Sequence, residues 1–318
     1  MLALRKQIAV LSEFRFPTTR RARLISGILA LVLFFLVSDA VISGFLVYHI
    51  LWPPKTPSGL NVDLLLGHPS TFSFPLPEGG TRVGLFFPGL RGAPTIVLCH
   101  GYRSQRADIL TMVSTMQNHG YNVFLFDFSG HGANPGSTTL GYRETGEVLA
   151  AIRTLAQRDD VDQSRFGAWG IDLGGYTTLS AAESDARIRA VAIDSAYDSP
   201  FDLLNEQVDR SGLEAIPLLS RFCRLGFRLF NYSYRHVPPV SAQLAQLRGV
   251  AKFFIVVRVR TEMAQSTLRL FALAPEPRQQ VEERESYAEM SDEERRSYEN
   301  RIVDFFLDSL PPAPPRSR

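Results

Sequence analysis

The sequence predicts an α/β domain with a mostly parallel sheet, joined to one long apolar segment near the N-terminus. Extended apolar segments alternate with segments whose apolar residues recur at helical spacing, and this alternation implies βαβ units. The segment TIVLC at 95–99 is almost uniformly apolar, as expected for a central strand that is covered on both faces. The chain of 318 residues has room for one large domain and an appendage.

Composition narrows the classes of function. The chain has 34 basic and 32 acidic residues, and its formal net charge of +2 is too small to indicate nucleic-acid binding. Cys99 and Cys223 are the only cysteines, too few for a disulfide scaffold and without the spacing of metal ligands. We therefore expect no metal, no cofactor and no nucleic-acid partner. The sequence does not determine the oligomeric state.

The apolar segment at residues 24–51 contains a single formal charge, Asp39, and is long enough for a tilted transmembrane helix. Residues 1–23 carry six basic residues against Glu13 alone, so the positive-inside rule predicts a cytoplasmic N-terminal arm and an exported main domain. A cleaved signal peptide is the alternative, because SDA at 38–40 places small residues at the required spacing. The apolar run continues beyond that site, which favours a single-pass anchor.

Residues 52–69 contain several prolines and are predicted to form a linker. The globular domain is assigned to residues 70–310. Strands are expected at TRVGLFF, TIVLC, NVFLF, RFGAWGI, IRAVAIDS and AKFFIVV, with helices between most of them. A further strand at PRQQVEERES is doubtful, because the segment contains only one aliphatic residue and could equally be helical. Ser291 and Glu294 form a capping box that predicts a closing helix, and the proline-rich residues 311–318 form a tail.

The strand and helix alternation pauses at about residues 200–250. This region includes the basic amphipathic segment AIPLLSRFCRLGFRLFNYSYRH. We expect a helical lid over the top of the sheet. The alternative is that the segment lies against anionic lipid beside the anchor.

Four motifs carry a family resemblance: VLCHGYRSQRADIL, FLFDFSGHGANPGSTTLGYRE, WGIDLGGYTTL and AVAIDSAYDS. Their order and spacing resemble those of α/β-hydrolase-fold proteins of the serine aminopeptidase and esterase type, over roughly residues 59–310. The resemblance implies about eight mostly parallel strands flanked by helices, with the site at the carboxyl ends of the strands. It also implies a nucleophile elbow at WGIDLGG and an oxyanion hole formed by the backbone N–H groups of Leu173 and Tyr102.

The chain departs from this family at all three positions of the catalytic triad. Asp172 stands where the elbow normally has serine, and Arg260 stands where the family has its acid. The family's histidine would fall near residues 286–288, but no histidine follows His236. Aspartate tolerates the positive φ of an elbow better than most residues do. A buried carboxylate there needs a partner, so we expect Asp172 to form a salt bridge with Arg260 or Arg258.

Three further residues are candidates for the pocket. Asp194 and Asp198 follow the sixth strand, where some members of the fold place the triad acid, and His236 could approach Asp172 from the lid. The sequence thus predicts a membrane-anchored protein of this fold that is catalytically impaired and binds a small ligand, a lipid or a partner protein. The alternative is an active hydrolase of ester, amide or related bonds that uses Asp172 as nucleophile or base.

Overall fold

Eight strands form one sheet, in agreement with the predicted fold class. The computed structural model describes residues 19–55, 69–213, 215–216 and 218–312. The strand order is β1-β2-β4-β3-β5-β6-β7-β8; β2 pairs antiparallel with both β1 and β4, and the other pairs are parallel. The strands are β1 Ser70–Pro75, β2 Thr81–Phe87, β3 Thr95–Cys99, β4 Asn122–Phe126, β5 Phe166–Ile171, β6 Ile188–Asp194, β7 Ala251–Val257 and β8 Arg278–Glu283.

The doubtful last strand exists. β8 pairs in parallel with β7 along its whole length, from Lys252 opposite Arg278 to Val257 opposite Glu283. It is an edge strand with half-exposed side chains, so it needs little apolar surface. Val281, its one aliphatic residue, packs against the core. This is why the apolar pattern alone did not predict a strand.

Helices cover both faces of the sheet. α2 and α8 pack on one face, while α3 to α7 and the end of α1 share the core on the other. The predicted closing helix α8 has the expected capping box, and its side chains at Ile302, Val303, Phe305 and Phe306 are buried. The helices are α1 Arg20–Leu51, α2 Leu110–Asn118, α3 Tyr142–Leu155, α4 Leu173–Ser184, α5 Pro200–Arg210, α6 Leu219–Phe230, α7 Thr261–Leu273 and α8 Asp292–Ser309.

The apolar N-terminal segment is one helix, α1, long and apolar enough to cross a membrane by length and composition. Its last three turns pack on the domain through Ser43, Val47, Ile50 and Leu51, which are buried. The domain also caps the helix, because the Ile50 carbonyl accepts a hydrogen bond from the Tyr102 hydroxyl at 2.8 Å. The Leu51 carbonyl accepts another from a backbone N–H of the domain at 2.8 Å.

These contacts change the predicted boundary between anchor and domain. The sequence placed a linker at 52–69 directly after the span, whereas the helix is already part of the domain core before residue 52. The pattern concealed this because a helix that is apolar on every side does not reveal which face is buried in protein. Most of the predicted linker (56–68), most of the basic arm (1–18) and most of the tail (313–318) lie outside the described residues.

Candidate active site

The strand-to-helix turn at Asp172 has the geometry of a nucleophile elbow. β5 ends at Ile171, α4 begins at Leu173, and Asp172 between them has a φ of +37°. A Cβ added at Gly174 would lie 2.1 Å from the Cys99 carbonyl oxygen. A Cβ at Gly170 would lie 2.2 Å from the Gly174 carbonyl oxygen. Gly174 therefore allows the start of α4 to pack tightly against the end of β3, and Gly170 allows it to pack tightly against β5.

The carboxylate of Asp172 is bound by the two backbone groups that were predicted to form the oxyanion hole. Its Oδ1 accepts hydrogen bonds from the N–H of Tyr102 at 2.6 Å and from the N–H of Leu173. Leu173 is also the first residue of α4, and the dipole of that helix favours negative charge at its N-terminus. The side chain of Asp172 thus fills the place where a substrate oxyanion would bind in a hydrolase.

Arg260 holds the other oxygen of this carboxylate. Its Nη1 lies 2.9 Å from Asp172 Oδ2, and its Nε and Nη2 donate to the two oxygens of Glu206 at 3.0 and 2.6 Å. Burial alone would lower the pKa of the guanidinium, but the charge of Asp172 and the contacts with Glu206 outweigh it and raise the pKa. Arg260 therefore remains a cation between two buried carboxylates.

The two arginines predicted as partners of Asp172 differ in position. Arg260 is buried and forms the ion pair, whereas Arg258 points outward, is exposed, and pairs with Glu282 on the edge strand β8. The two arginines are only two positions apart in the sequence. Strand β7 ends at Val257, however, and the chain turns there toward α7. That turn directs one arginine to the cavity and the other to solvent.

Asp194 lies close to the elbow but is enclosed. Its carboxylate accepts hydrogen bonds from the Ser195 hydroxyl at 2.7 Å and the Tyr298 hydroxyl at 2.7 Å. Burial raises the pKa of Asp194 to about 6, although both hydroxyls oppose the shift. The side chain is occupied by protein donors and does not line the cavity. It could not orient a triad histidine in this position.

The raised pKa of Asp194 predicts a pH-dependent stability. Its folded pKa exceeds that of an unfolded aspartate, so the folded state binds the proton more tightly and its stability declines as pH rises from about 4 to about 6. From pH 4 to pH 7 we expect the free energy of unfolding of the wild type to fall by about 2 kcal/mol relative to that of Asp194→Asn. Urea unfolding in detergent micelles measures it, and a difference independent of pH would contradict the assignment.

Asp198 and His236 do not reach the elbow. The Asp198 carboxylate accepts bonds from the N–H of Ser241 at 2.7 Å and from its hydroxyl at 2.9 Å, which ties α5 to the chain before β7. His236 is exposed and does not line the cavity beside Asp172. The structure therefore does not bring either residue to the cavity beside Asp172. Their proximity in sequence to site elements did not reveal the direction of their side chains.

A cavity of about 1200 Å³ opens beside the elbow. Leu46 and Ile50 of α1 form one wall, Asp172 and Arg260 form another, and residues 285–289 after β8 complete it. These last residues occupy the place predicted for the family's histidine. Tyr287 there donates its hydroxyl hydrogen to Glu299 at 2.6 Å instead of presenting an imidazole.

α5 borders this cavity, whereas α6 does not. Gln207 and Arg210 of α5 are among the lining residues, and α6 contributes none. The lid predicted at about 200–250 therefore covers the site only through its first helix. α6 packs instead against α1.

A second cavity of about 980 Å³ lies at the opposite end of the sheet, beside Asp162 and Lys252.

Sequence reasoning missed two parts of the site. Glu206 was not singled out, because a glutamate four residues before Arg210 is an ordinary pairing on a helix surface. Leu46 and Ile50 were assigned only to the membrane, because nothing in an apolar run indicates which residues line a cavity. Both became visible only when α1, α5 and the segment after β7 were brought together.

Fold and elbow geometry define a class of protein: the chain is an α/β-hydrolase-fold protein. The family described as "alpha/beta hydrolase fold" matches residues 94–213. The chain is 27% identical over 250 residues to the uncharacterized protein YfhR of Escherichia coli K12, covering 74% of this chain and 80% of that protein. It is 29% identical over 135 residues to the polyketide transferase grgF of a Penicillium species, covering 41% and 46%.

Solved structures have the same fold. The esterase Pf2001 of Pyrococcus furiosus superposes with a TM-score of 0.64 at 18% identity, covering 82% of this chain and 98% of that one. GrgF from Penicillium superposes with a TM-score of 0.59 at 18% identity, covering 76% and 99%. At these identities the similarity concerns the fold. Function has to be argued from the residues of this site.

Proposed function

We propose that this chain is a membrane-anchored α/β-hydrolase-fold protein in which the catalytic site has become a closed, non-hydrolytic site beside a ligand-binding cavity. One observation carries the proposal: the Asp172 carboxylate itself takes both N–H donors of the oxyanion hole and is paired with Arg260. An internal anion with three donors competes with any substrate oxygen for that place. Stabilisation of a developing oxyanion is thereby lost.

Among the residues that the structure describes, no histidine lines the cavity beside Asp172, and this strengthens the proposal. An aspartate nucleophile forms an ester that must be hydrolysed by an activated water, and activation by a positioned base contributes about 10²- to 10⁴-fold. Residues 285–289 face the cavity at the expected place, and none of them is a histidine. His131, the histidine whose ring lies 5.8 Å from that of Tyr102, is buried outside the cavity lining. Burial lowers its pKa to about 4.

The cavity supports a binding role. Its volume of about 1200 Å³ is somewhat larger than the roughly 300–1,000 Å³ usual for small-molecule sites. Leu46 and Ile50 of α1 give the cavity an aliphatic part, and Asp172 and Arg260 give it a charged part. A ligand with an apolar body and a polar end matches this division. A partner protein that inserts one side chain is the other occupant compatible with it.

The anchor is the second part of the proposal. The first half of α1 exposes large apolar side chains, and Arg20, Arg21 and Arg23 precede or begin the apolar run. By the positive-inside rule these residues remain in the cytoplasm and the domain is exported. The packing of Val47, Ile50 and Leu51 on the domain then fixes the cavity close to the membrane. Detection of an intact residue 19–37 segment in the purified protein by mass spectrometry would exclude signal-peptide cleavage.

Hydrolysis assays test the loss of catalysis. We expect the full-length protein in micelles to hydrolyse activated short-chain esters, epoxides and haloalkanes no faster than Asp172→Ala, because neither oxyanion hole nor base is free. We expect the Asp172→Ala control to remain folded, since Arg260 keeps its paired contacts with Glu206. Asp172→Ser should also remain inactive, because a serine nucleophile needs an imidazole. Turnover that depends on Asp172 would instead support an active hydrolase and contradict the proposal.

A further inference from the structure

α6 runs alongside the second half of α1. The Ser43 hydroxyl donates to the Leu219 carbonyl at 3.3 Å near the start of α6, and the rings of Trp52 and Phe230 lie 5.4 Å apart at its end. Between these contacts, a Cβ at Gly226 would lie 3.8 Å from Val47. The residue numbers increase together along both helices. The two helices are therefore parallel over three turns, with α6 beginning level with Ser43.

The buried face of α6 is narrow. Leu219, Cys223 and Phe227 recur every four residues and are buried against α1 and α5. The rest of the helix presents two neighbouring stripes, one apolar and one basic. Leu225 and Leu229 are 49% and 65% exposed, and Leu218, just before the helix, is 38% exposed. The basic stripe consists of Arg221, Arg224 and Arg228, all exposed. We call these six residues the α6 surface.

The level of the α6 surface along α1 coincides with the expected edge of the bilayer. A helix needs about 20 apolar residues to cross the hydrocarbon core. Counted from Leu24, such a span ends near Ser43, where α6 begins. Tyr48 and Trp52 stack at 4.9 Å just beyond this point, and amphipathic rings of this kind concentrate at membrane interfaces. The α6 surface thus lies in the interfacial layer when α1 spans the membrane.

We propose that the α6 surface docks on the anionic headgroup layer of the membrane that α1 crosses. The proposal rests on the membrane anchor proposed above. It adds that the domain keeps a fixed orientation relative to the membrane surface. Exposed leucines beside arginines are the composition of helices that lie at lipid interfaces, with leucine in the acyl boundary and arginine at phosphates. Phe45 and Tyr48, on the part of α1 that lies at the level of α6, are exposed aromatic residues as well. Each arginine near an anionic leaflet contributes about 1 kcal/mol of attraction.

Two of the arginines also have contacts within the protein. Arg224 donates to Asn205 Oδ1 at 2.9 Å, and the Arg228 guanidinium lies 6.0 Å from the ring centre of Phe201. Both remain exposed, so these contacts position the charges without burying them. The third, Arg221, is also exposed. Arg221 is therefore the variant with the least effect on packing.

Site-directed spin labelling of the full-length protein tests the docking. Labels are placed at Leu225→Cys and Leu229→Cys in nanodiscs of phosphatidylcholine containing phosphatidylglycerol. Both native cysteines are buried, and the unsubstituted protein serves as the labelling blank. Leu273→Cys, at a site 62% exposed at the far end of α7, is the matched aqueous control. We expect collision rates with oxygen, relative to a water-soluble nickel complex, to be several-fold higher at residues 225 and 229 than at residue 273.

A label at Phe34→Cys separates the anchor from the docking surface, because Phe34 is 64% exposed in the first half of α1. If residue 34 reports lipid while residues 225 and 229 match residue 273, the docking proposal is wrong and the anchor stands. If residue 34 also reports water, the anchor itself is wrong.

The lipid charge is tested in the same samples. Nanodiscs of phosphatidylcholine alone, or the variant Arg221→Gln/Arg224→Gln/Arg228→Gln, should lower the oxygen-to-nickel ratio at residue 225 by about half or more. Arg221→Gln alone should give a smaller decrease in the same direction, and Arg296→Gln on α8 should give none. Equal ratios in charged and neutral lipid would contradict the anionic preference.

Discussion

Replacing Arg260 by leucine is expected to lower the free energy of unfolding by about 3–5 kcal/mol, the usual effect of removing one partner from a buried ion pair. Arg260 is the cation between Asp172 and Glu206, and it contacts both carboxylates directly. In this variant Glu206 would still have Arg210 as an ion-pair partner at 3.2 Å. Arg210 is exposed and is paired with Glu206, so it does not replace Arg260 beside Asp172. Urea unfolding followed by the fluorescence of the buried Trp169 measures the loss.

A second substitution distinguishes charge from packing in this experiment. Adding Asp172→Asn to Arg260→Leu neutralises the carboxylate left without its cation, so the double variant should be more stable than Arg260→Leu alone. A loss below about 0.5 kcal/mol, typical of surface substitutions, would mean that the ion pair does not close the site.

Replacing Gly174 by alanine is expected to be at least as damaging. The added methyl group would lie 2.1 Å from the Cys99 carbonyl oxygen, and the next two neighbours within reach are also backbone atoms. Backbone of the central strand β3 cannot move aside as a flexible side chain can. We expect a loss of more than about 3 kcal/mol or failure to fold, because overpacking here displaces the elbow from the sheet.

Gly146 provides the matched control for this substitution. It lies within α3, and an added Cβ would meet only a Pro77 side-chain atom at 3.7 Å. Gly146→Ala should therefore be neutral or stabilise the protein by up to about 1 kcal/mol through helix propensity. Equal stability of the two alanine variants would show that the elbow tolerates a Cβ and would contradict the close approach.

Tyr102 connects the proposed anchor with the proposed closed site. Its backbone N–H donates to Asp172, and its side-chain hydroxyl donates to the Ile50 carbonyl at the end of α1. The same residue therefore contributes to the cavity beside Asp172 and holds the end of α1 on the domain. This arrangement places any occupant of the cavity between the elbow and α1. It is also consistent with a domain that keeps one orientation relative to α1.

The sequence by itself determined the fold class, because alternating apolar periodicities and four ordered motifs depend only on local spacing. It also located the elbow at Asp172 and predicted Arg260 or Arg258 as the partner of its carboxylate. The tertiary structure decided the remainder. An edge strand such as β8 needs too little apolar surface to be recognised, and Glu206 resembles any helical glutamate until Arg260 is placed beside it. A uniformly apolar helix does not reveal that Leu46 and Ile50 line a cavity, because burial in protein and burial in lipid select the same residue types.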